Sequence, residues 1–326
     1  MARPQLDLFE LAPPQLEAAA VPSELSALGA ALPSGVRFGT MSWTYPGWKG
    51  IVYGPDVVSQ RLAAHGLTAY AKHPLLRCVE IDRTYYEPMS EEELRVFATQ
   101  VPEDFRFVVK AHEDCTVRRF PTHARYGKKR GLENPRYLDS AYASEFVLGP
   151  CVRGLGSKLG VVLFQFSPEE SEPPGVFAER LRDFLRRLPR EVPCAVELRN
   201  PQLFDRAYAQ ALADAGALHC HNVWGAMPSA LKQASRIPPS ARKPLVIRWL
   251  MREGDSYQDA EARCAPFDRI VREDEENRLL LARLVAKAHA HDVPAYVLVD
   301  NKAEGSAPHS IVRLAGAFME HCHSPP

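Results

Sequence analysis

The chain has 326 residues, 46% of them apolar, which is enough for one large domain or two small ones around a sizeable core. Forty Lys and Arg balance forty Asp and Glu, so no net field draws the molecule to nucleic acid or to a membrane; any such partner must meet a local patch. Seven cysteines, odd in number and without a C-x-x-C pair, argue against a disulfide framework or a zinc ribbon and fit a reducing cytoplasm.

Residues 1–35 contain five prolines, many alanines and no sustained period, which predicts a mobile tail with at most a short helix near Ser23 to Leu28. Asp7 and Glu10 interrupt the apolar run that a signal peptide needs, and no later segment is apolar for long enough to span a bilayer. Gln5-Leu6-Asp7-Leu8-Phe9 resembles the pentapeptide by which bacterial DNA polymerases and repair enzymes dock on the replication sliding clamp. In such peptides the residues matching Leu8 and Phe9 fill an apolar pocket, with Leu6 beside them and Gln5 making polar contacts; a loosely packed apolar tail is the plain alternative.

Beyond the tail, eight short apolar runs alternate with helical patterns: Val36 to Trp43, Cys78 to Asp82, Phe105 to Lys110, Leu159 to Phe166, Cys194 to Arg199, Leu218 to Trp224, Leu245 to Leu250 and Ala295 to Asn301. Parallel strands with helical crossovers are implied, and this number of them predicts an α/β TIM-like (β/α)8 barrel from about residue 36 to 320, with 321–326 as a tail. A doubly wound open sheet is the rival, but the chain has neither a G-x-G-x-x-G nor a G-x-x-x-x-G-K-[ST] motif. The first run passes straight into Trp43, Tyr45 and Trp48 beside Pro46 and Gly47, reading as a strand end that feeds either a binding loop or an aromatic lid on the core. Ser90 with Glu93 forms a capping box, Phe177, Leu181, Phe184, Leu185 and Leu188 make one apolar stripe, and Leu279, Leu280, Leu284 and Val285 make another. Glu113 to Asn134 is too long for a plain connection and is a candidate functional loop.

The same runs resemble the YecE-like family, also known as domain of unknown function seventy-two, over about residues 36 to 320. The resemblance is carried by Gly39 through Tyr53, Val79 through Tyr86, Phe105 through His112, Leu163 through Phe166, Val196 through Pro201, Ala265 through Asp268 and Asp300 through Pro308. It implies a TIM-type barrel and leaves the chemistry to be read from the residues. Asp82 and Asp300 depart from it, since Asn is expected at both.

Active sites of such barrels form at the C-terminal strand ends, and the polar residues there are many. Strand alternation puts Glu80 with Asp82, Lys110 with His112, and Glu197 with Arg199 on common faces; Gln165, Arg248 and Asn301 lie at other strand ends. Charges inside a barrel need partners or a ligand. They form either a structural ion-pair network or a site in which Lys110, Arg199 and Arg248 hold an anion while Glu80, Asp82 or Glu197 moves protons. Trp43, Tyr45, Trp48, Tyr86 and His112 are the expected walls for a ligand, and Ser306, following Gly305 at the last helix start, is a candidate phosphate contact or a plain helix cap. In the long loop Arg118, Arg119, Lys128, Lys129 and Arg130, interleaved with Phe120 and Tyr126, suit phosphates and bases unless they are only a solvated surface. His219 and His221, with Glu80, Glu197, His112 and Asp300, are the weaker alternative of a divalent metal site; no H-E-x-x-H spacing supports it, and no organic cofactor motif is present. No G-x-S-x-G elbow marks a serine nucleophile.

These features point to a hydrolase or lyase acting on a phosphate-bearing substrate, foremost nucleic acid, recruited to DNA replication or repair through its tail. The alternatives are an enzyme of a small anionic metabolite such as a sugar phosphate, and a non-catalytic nucleic-acid or partner-binding module.

Overall fold

The computed structural model describes residues 16–168, 172–225, 227–239, 243–252 and 254–323. Its strands are β1 (Val36–Thr40), β2 (Leu76–Ile81), β3 (Arg106–Lys110), β4 (Leu159–Phe166), β5 (Cys194–Leu198), β6 (Leu218–Val223), β7 (Leu245–Trp249) and β8 (Ala295–Val299). All neighbours pair in parallel and β8 closes onto β1, so the sheet is the closed eight-stranded barrel expected from the sequence. The helices are α1 (Ser23–Ala31), α2 (Ser59–Tyr70), α3 (Glu91–Thr99), α4 (Ser140–Ala143), α5 (Gly149–Leu155), α6 (Pro174–Arg186), α7 (Arg206–Ala215), α8 (Ala230–Arg236), α9 (Tyr257–Cys264), α10 (Glu275–His289) and α11 (Ala307–His323).

Strand alternation sorts the side chains into two cores. One set of every strand packs outward under the helices, as Val79, Phe107, Val109, Ile247 and Val297 do. The other set fills the barrel with Cys78, Val108, Val161, Leu163, Ala195, Cys220, Val246 and Leu298. Position 39 on β1 is a glycine because a Cβ there would lie 2.0 Å from the Cys78 carbonyl oxygen, inside its van der Waals shell. The Ser90–Glu93 capping box forms at α3 with both reciprocal hydrogen bonds. The stripe from Phe177 to Leu188 is buried on and just beyond α6, whereas α10 buries Leu281, Leu284, Val285 and Ala288, with Leu279 and Leu280 only half covered.

Residues 16–35, expected to belong to a mobile tail, dock on the barrel. Leu16, Ala19 and Leu32 are buried. The Ala19 amide donates to Val52 O at 3.0 Å, and the Gly54 amide to Glu17 O at 2.8 Å. The cause of the anchoring at the end of α1 is Arg77, whose guanidinium donates to the carbonyls of Gly29, Leu32 and Pro33 at 2.6 to 3.1 Å and so satisfies a helix C-terminus. At the other end α11 runs through His323, three residues into the stretch expected as a tail. The pentapeptide at 5–9 lies outside the described residues.

The long β3–α4 connection is folded on itself. Val117, Phe120 and Tyr126 form a small apolar cluster, Arg119 bridges to Glu133 as an isolated antiparallel pair, and Asn134 Nδ2 donates to the carbonyls of Asp114 and Val117 at 2.8 and 2.7 Å.

Candidate active site at the barrel mouth

At the C-terminal end of the barrel the inner layer changes from apolar to ionic. The same alternation that puts Cys78, Val108, Leu163, Ala195, Cys220 and Val246 inside brings Glu80, Lys110, Gln165, Glu197, Asn222 and Arg248 into the next layer up. Arg248 is the hub. Its Nη2 donates to Glu80 Oε1 at 2.9 Å and approaches Met41 Sδ at 3.4 Å; its Nη1 donates to Glu197 Oε2 and, at 3.2 Å, to Gln165 Oε1. One planar guanidinium thus holds two fully buried carboxyls, a geometry that lysine cannot reproduce.

The two carboxyls differ in charge state. Burial pushes Glu80 up, Arg248 only partly offsets this, and the negative charges of Asp82 and Glu197 add to it, leaving the group at about 7. Burial also acts on Glu197, but Arg248 and Arg199 together more than reverse it and hold that carboxyl at about 2. Two neighbouring carboxyls with separated pKa values are the pattern by which one site keeps an acid and a carboxylate at neutral pH.

Two further cations, Lys110 of this layer and Arg199 just beyond β5, complete the mouth. Lys110 Nζ is 2.9 Å from Asp82 Oδ1 and 4.1 Å from the ring centre of Tyr85; burial pulls its pKa down, and Asp82 opposes that. Arg199 donates from Nε to Glu197 Oε1 at 2.9 Å and stacks over Trp224 at 4.1 Å. Among the described residues its two Nη groups have no partner. Asp300 forms a third pair with Lys302 Nζ at 3.0 Å, and Lys302 lies over Tyr257 at 4.5 Å. The carboxylates of Asp82 and Asp300 thus each hold a lysine at the mouth.

Residues 37–325 match the family model described as protein of unknown function DUF72. The chain belongs to the DUF72 family. A stretch of 167 residues, 50% of this chain, is 28% identical to UPF0759 protein YunF of Bacillus subtilis and spans 51%, about half, of that relative's length. A crystal structure of a DUF72 family protein from Thermotoga maritima superposes with a TM-score of 0.57 at 19% identity, covering 89% of this chain and 99% of its own. One from Enterococcus faecalis gives 0.56 at 19% identity, with 87% and 95% covered. At such identities the two structures share the fold with this chain.

In this DUF72 barrel Glu80, Asp82, Lys110, Gln165, Glu197, Arg199 and Arg248 converge at one end. Tyr45 and Tyr86 stand at the rim: Tyr86 is 56% exposed, and Tyr45 is half-buried against Trp48 and Phe267, its hydroxyl pKa raised by burial and by Asp300. Other expected ligand walls are structural instead. Trp43 is buried against Phe97 with its indole donating to Leu62 O at 3.0 Å, and Trp48 is fully buried with its indole donating to Asn301 Oδ1 at 3.1 Å. Asn301 Oδ1 accepts that bond and a second from the Ala307 amide at 2.9 Å, while its Nδ2 is buried without a partner among the described residues. His112 turns to Tyr142, 2.8 Å from its hydroxyl.

The phosphate contact expected at Ser306 is closed off. Ser306 is fully buried, and a Cβ at Gly305, which has a φ of 124°, would meet Arg269 O at 2.5 Å, so the segment before α10 seals this helix start. The amides of Val271 and Arg272 donate to Glu304 O there, while Arg278 and the Asp274 amide hold the Glu304 carboxylate. The histidines considered for a metal also point elsewhere. His219 lies between Tyr208 and Gln233, and His221 faces Ile237, both on the outer side of β6; burial lowers both pKa values, that of His221 to about 4. Among the described residues no group of three or more His, Cys, Asp or Glu is placed to hold a metal ion.

The loop cations are partly consumed within the loop. Arg118 and Arg119 pair with Glu133 at 3.7 and 3.3 Å, Arg130 Nε donates to Gly127 O at 3.0 Å, and Lys129 lies over Phe120 at 5.1 Å. Lys128 and Arg130 have no acidic partner among the described residues.

Sequence reading missed Met41, Tyr85, Asn222, Trp224 and Lys302. Asn222 donates to Leu198 O at 2.8 Å and Glu197 Oε1 at 3.4 Å, and its side chain shares the inner face with Cys220. Alternation along β6 carries the signal for Asn222, which lies between the outer-face positions of His221 and Val223.

Proposed function

We propose that the barrel mouth is an active site for a phosphate-bearing substrate, with hydrolysis or elimination as the reaction type and a small anionic molecule as the substrate. The observation that carries this reading is Arg199. Its Nε is fixed by Glu197 and its plane by Trp224, while its Nη atoms are left unpaired among the described residues at the opening. A guanidinium held in this way presents a preorganised fork to an oxyanion, at little further cost in side-chain entropy.

Lys110 meets the same anion from the β3 side, and Asp82, whose side chain is 36% exposed, is the carboxylate within reach of a substrate proton. Glu80 and Glu197 act through Arg248 and Arg199. Glu80 Oε2 has no hydrogen-bond partner among the described residues, so a proton resting there removes one negative charge from beneath the anion at neutral pH.

Nucleic acid is the second reading, favoured by Lys128 and Arg130 and opposed by the pairing of Arg118 and Arg119 with Glu133. Recruitment to a sliding clamp through Gln5, Leu6, Leu8 and Phe9 belongs to that reading and is separable from the mouth chemistry.

Calorimetric titration with inorganic phosphate tests the main reading. Arg199→Gln should weaken binding about tenfold or more, since a hydrogen bond to a charged group contributes about 1.5–3 kcal/mol. Equal affinity in parent and variant would remove the anion site.

A further inference from the structure

Beside the mouth, under the β3–α4 loop, lies a cavity of about 390 Å³, within the range of small-molecule sites. We propose that it takes the planar ring of the ligand whose phosphate rests on Lys110 and Arg199, so that the substrate class is a ring-bearing phosphomonoester of nucleotide type. This rests on the anion-site reading given above and adds the other half of the ligand.

The walls are aromatic: Tyr85, Phe120, Tyr126, Tyr137 and Phe166. Tyr137 and Phe166 meet edge to face at 6.5 Å, and Phe120 and Tyr126 are tilted at 5.7 Å, a lining that a flat ring can stack on. Tyr85 joins cavity and mouth. It lines the cavity together with Ser167, and Lys110 Nζ sits 4.1 Å from its ring centre. Tyr85 is thus shared between the cavity and the Lys110 side of the mouth, where one ligand could touch both.

Two unpartnered polar atoms of lining side chains, closed to solvent as they stand, would gain partners from a nitrogen heterocycle, and not from a plain hydrocarbon ring, on a side-chain rotation into the cavity. Thr116 Oγ1 and Glu172 Oε2 are buried without hydrogen-bond partners among the described residues, and both residues line the cavity. Ring N–H groups supply donors to a carboxylate, and a ring nitrogen or carbonyl accepts from a hydroxyl. The cavity is not itself the phosphate site. Its arginines are engaged, Arg118 with Glu133 and Glu172 and Arg125 with Glu113 at 2.6 Å, whereas Arg199 keeps its fork unpaired among the described residues.

The test is calorimetric titration of the full chain with inorganic phosphate, phenyl phosphate, the four ribonucleoside 5′-monophosphates and the matching nucleosides. At least one monophosphate should bind about tenfold or more tightly than phosphate and its nucleoside, because stacking adds to the anion contact. Thr122→Trp, which fills the cavity from an exposed rim position, should abolish that gain and leave phosphate affinity within about twofold, whereas Arg199→Gln should weaken both ligands. Ser167→Phe serves as the second filling variant if Thr122→Trp does not melt like the parent. Monophosphates that bind no better than phosphate, or a gain that survives filling, would overturn the cavity assignment while leaving the anion site standing. Phenyl phosphate matching the best nucleotide would overturn the heterocycle. Absence of binding by every phosphate ligand would overturn both the cavity and the anion site.

Discussion

Arg248 Nη2 lies 2.9 Å from Glu80 Oε1, so the cation at the centre of the barrel holds a carboxyl that burial has moved close to neutrality. Folding therefore raises the proton affinity of Glu80 from the ordinary carboxyl value of 4.5 to about 7. Between those values the folded state binds more protons than the unfolded state, and stability falls as pH rises through the window. Glu197 behaves in the opposite sense: at about 2 when folded, its contribution is present above 4.5 and is lost as pH falls through 4.5 towards 2. Their joint contribution peaks near pH 4.5. Denaturant melts should show the decline from Glu80 above that pH, on the order of 3 kcal/mol at 1.36 kcal/mol per pKa unit, and Glu80→Gln should flatten it. An unchanged slope in the variant would assign the effect to another group.

The same triad predicts asymmetric mutational costs. Arg248→Met leaves Glu80 and Glu197 buried without their shared cation, and it should destabilise the protein by about 3–5 kcal/mol. Replacing all three, as Glu80→Gln, Glu197→Gln and Arg248→Met, should recover most of that loss. Chemical denaturation of the single and triple variants measures the difference.

Asn301 Oδ1 accepts from the Trp48 indole and the Ala307 amide, tying the loop after β1 to the start of α11. Asn301→Ala orphans two buried donors and should cost about 1–3 kcal/mol or more. Phosphate affinity, measured on the folded fraction, should stay unchanged. A variant of parental stability with weakened phosphate binding would return Asn301 to the ligand site.

Architecture and the inner charges were legible because strand alternation is a local signal with a period of two residues. Glu80, Lys110, Glu197, Arg199 and Arg248 follow from it directly. The roles of the indoles were not legible, since Trp48 finds its acceptor 253 residues away, and a buried aromatic and a ligand wall look alike in a sequence. Ser306 failed for a similar reason: the segment that covers it comes from before α10, and no pattern around Gly305 announces that contact. Composition makes residues 16–35 look like a tail, but long-range contacts hold them: backbone bonds with Val52 and Gly54 at one end and Arg77 of β2 at the end of α1.

Leu8 and Phe9 carry the recruitment proposal. If they anchor the chain on a bacterial sliding clamp, changing both to Ala should abolish co-precipitation with the clamp and leave folding stability within about 0.5 kcal/mol of the parent. Equal capture of parent and variant, or of neither, removes recruitment. A loss of stability would show instead that the two side chains pack on the barrel.

The most direct measurement of the anion site is a crystal structure of the protein grown or soaked in phosphate. Density for the anion is expected within hydrogen-bonding distance of Arg199 Nη and Lys110 Nζ, and none there in the same experiment on Arg199→Gln. Phosphate bound only at the loop cations Lys128 and Arg130, or at the mouth of parent and variant alike, would contradict it.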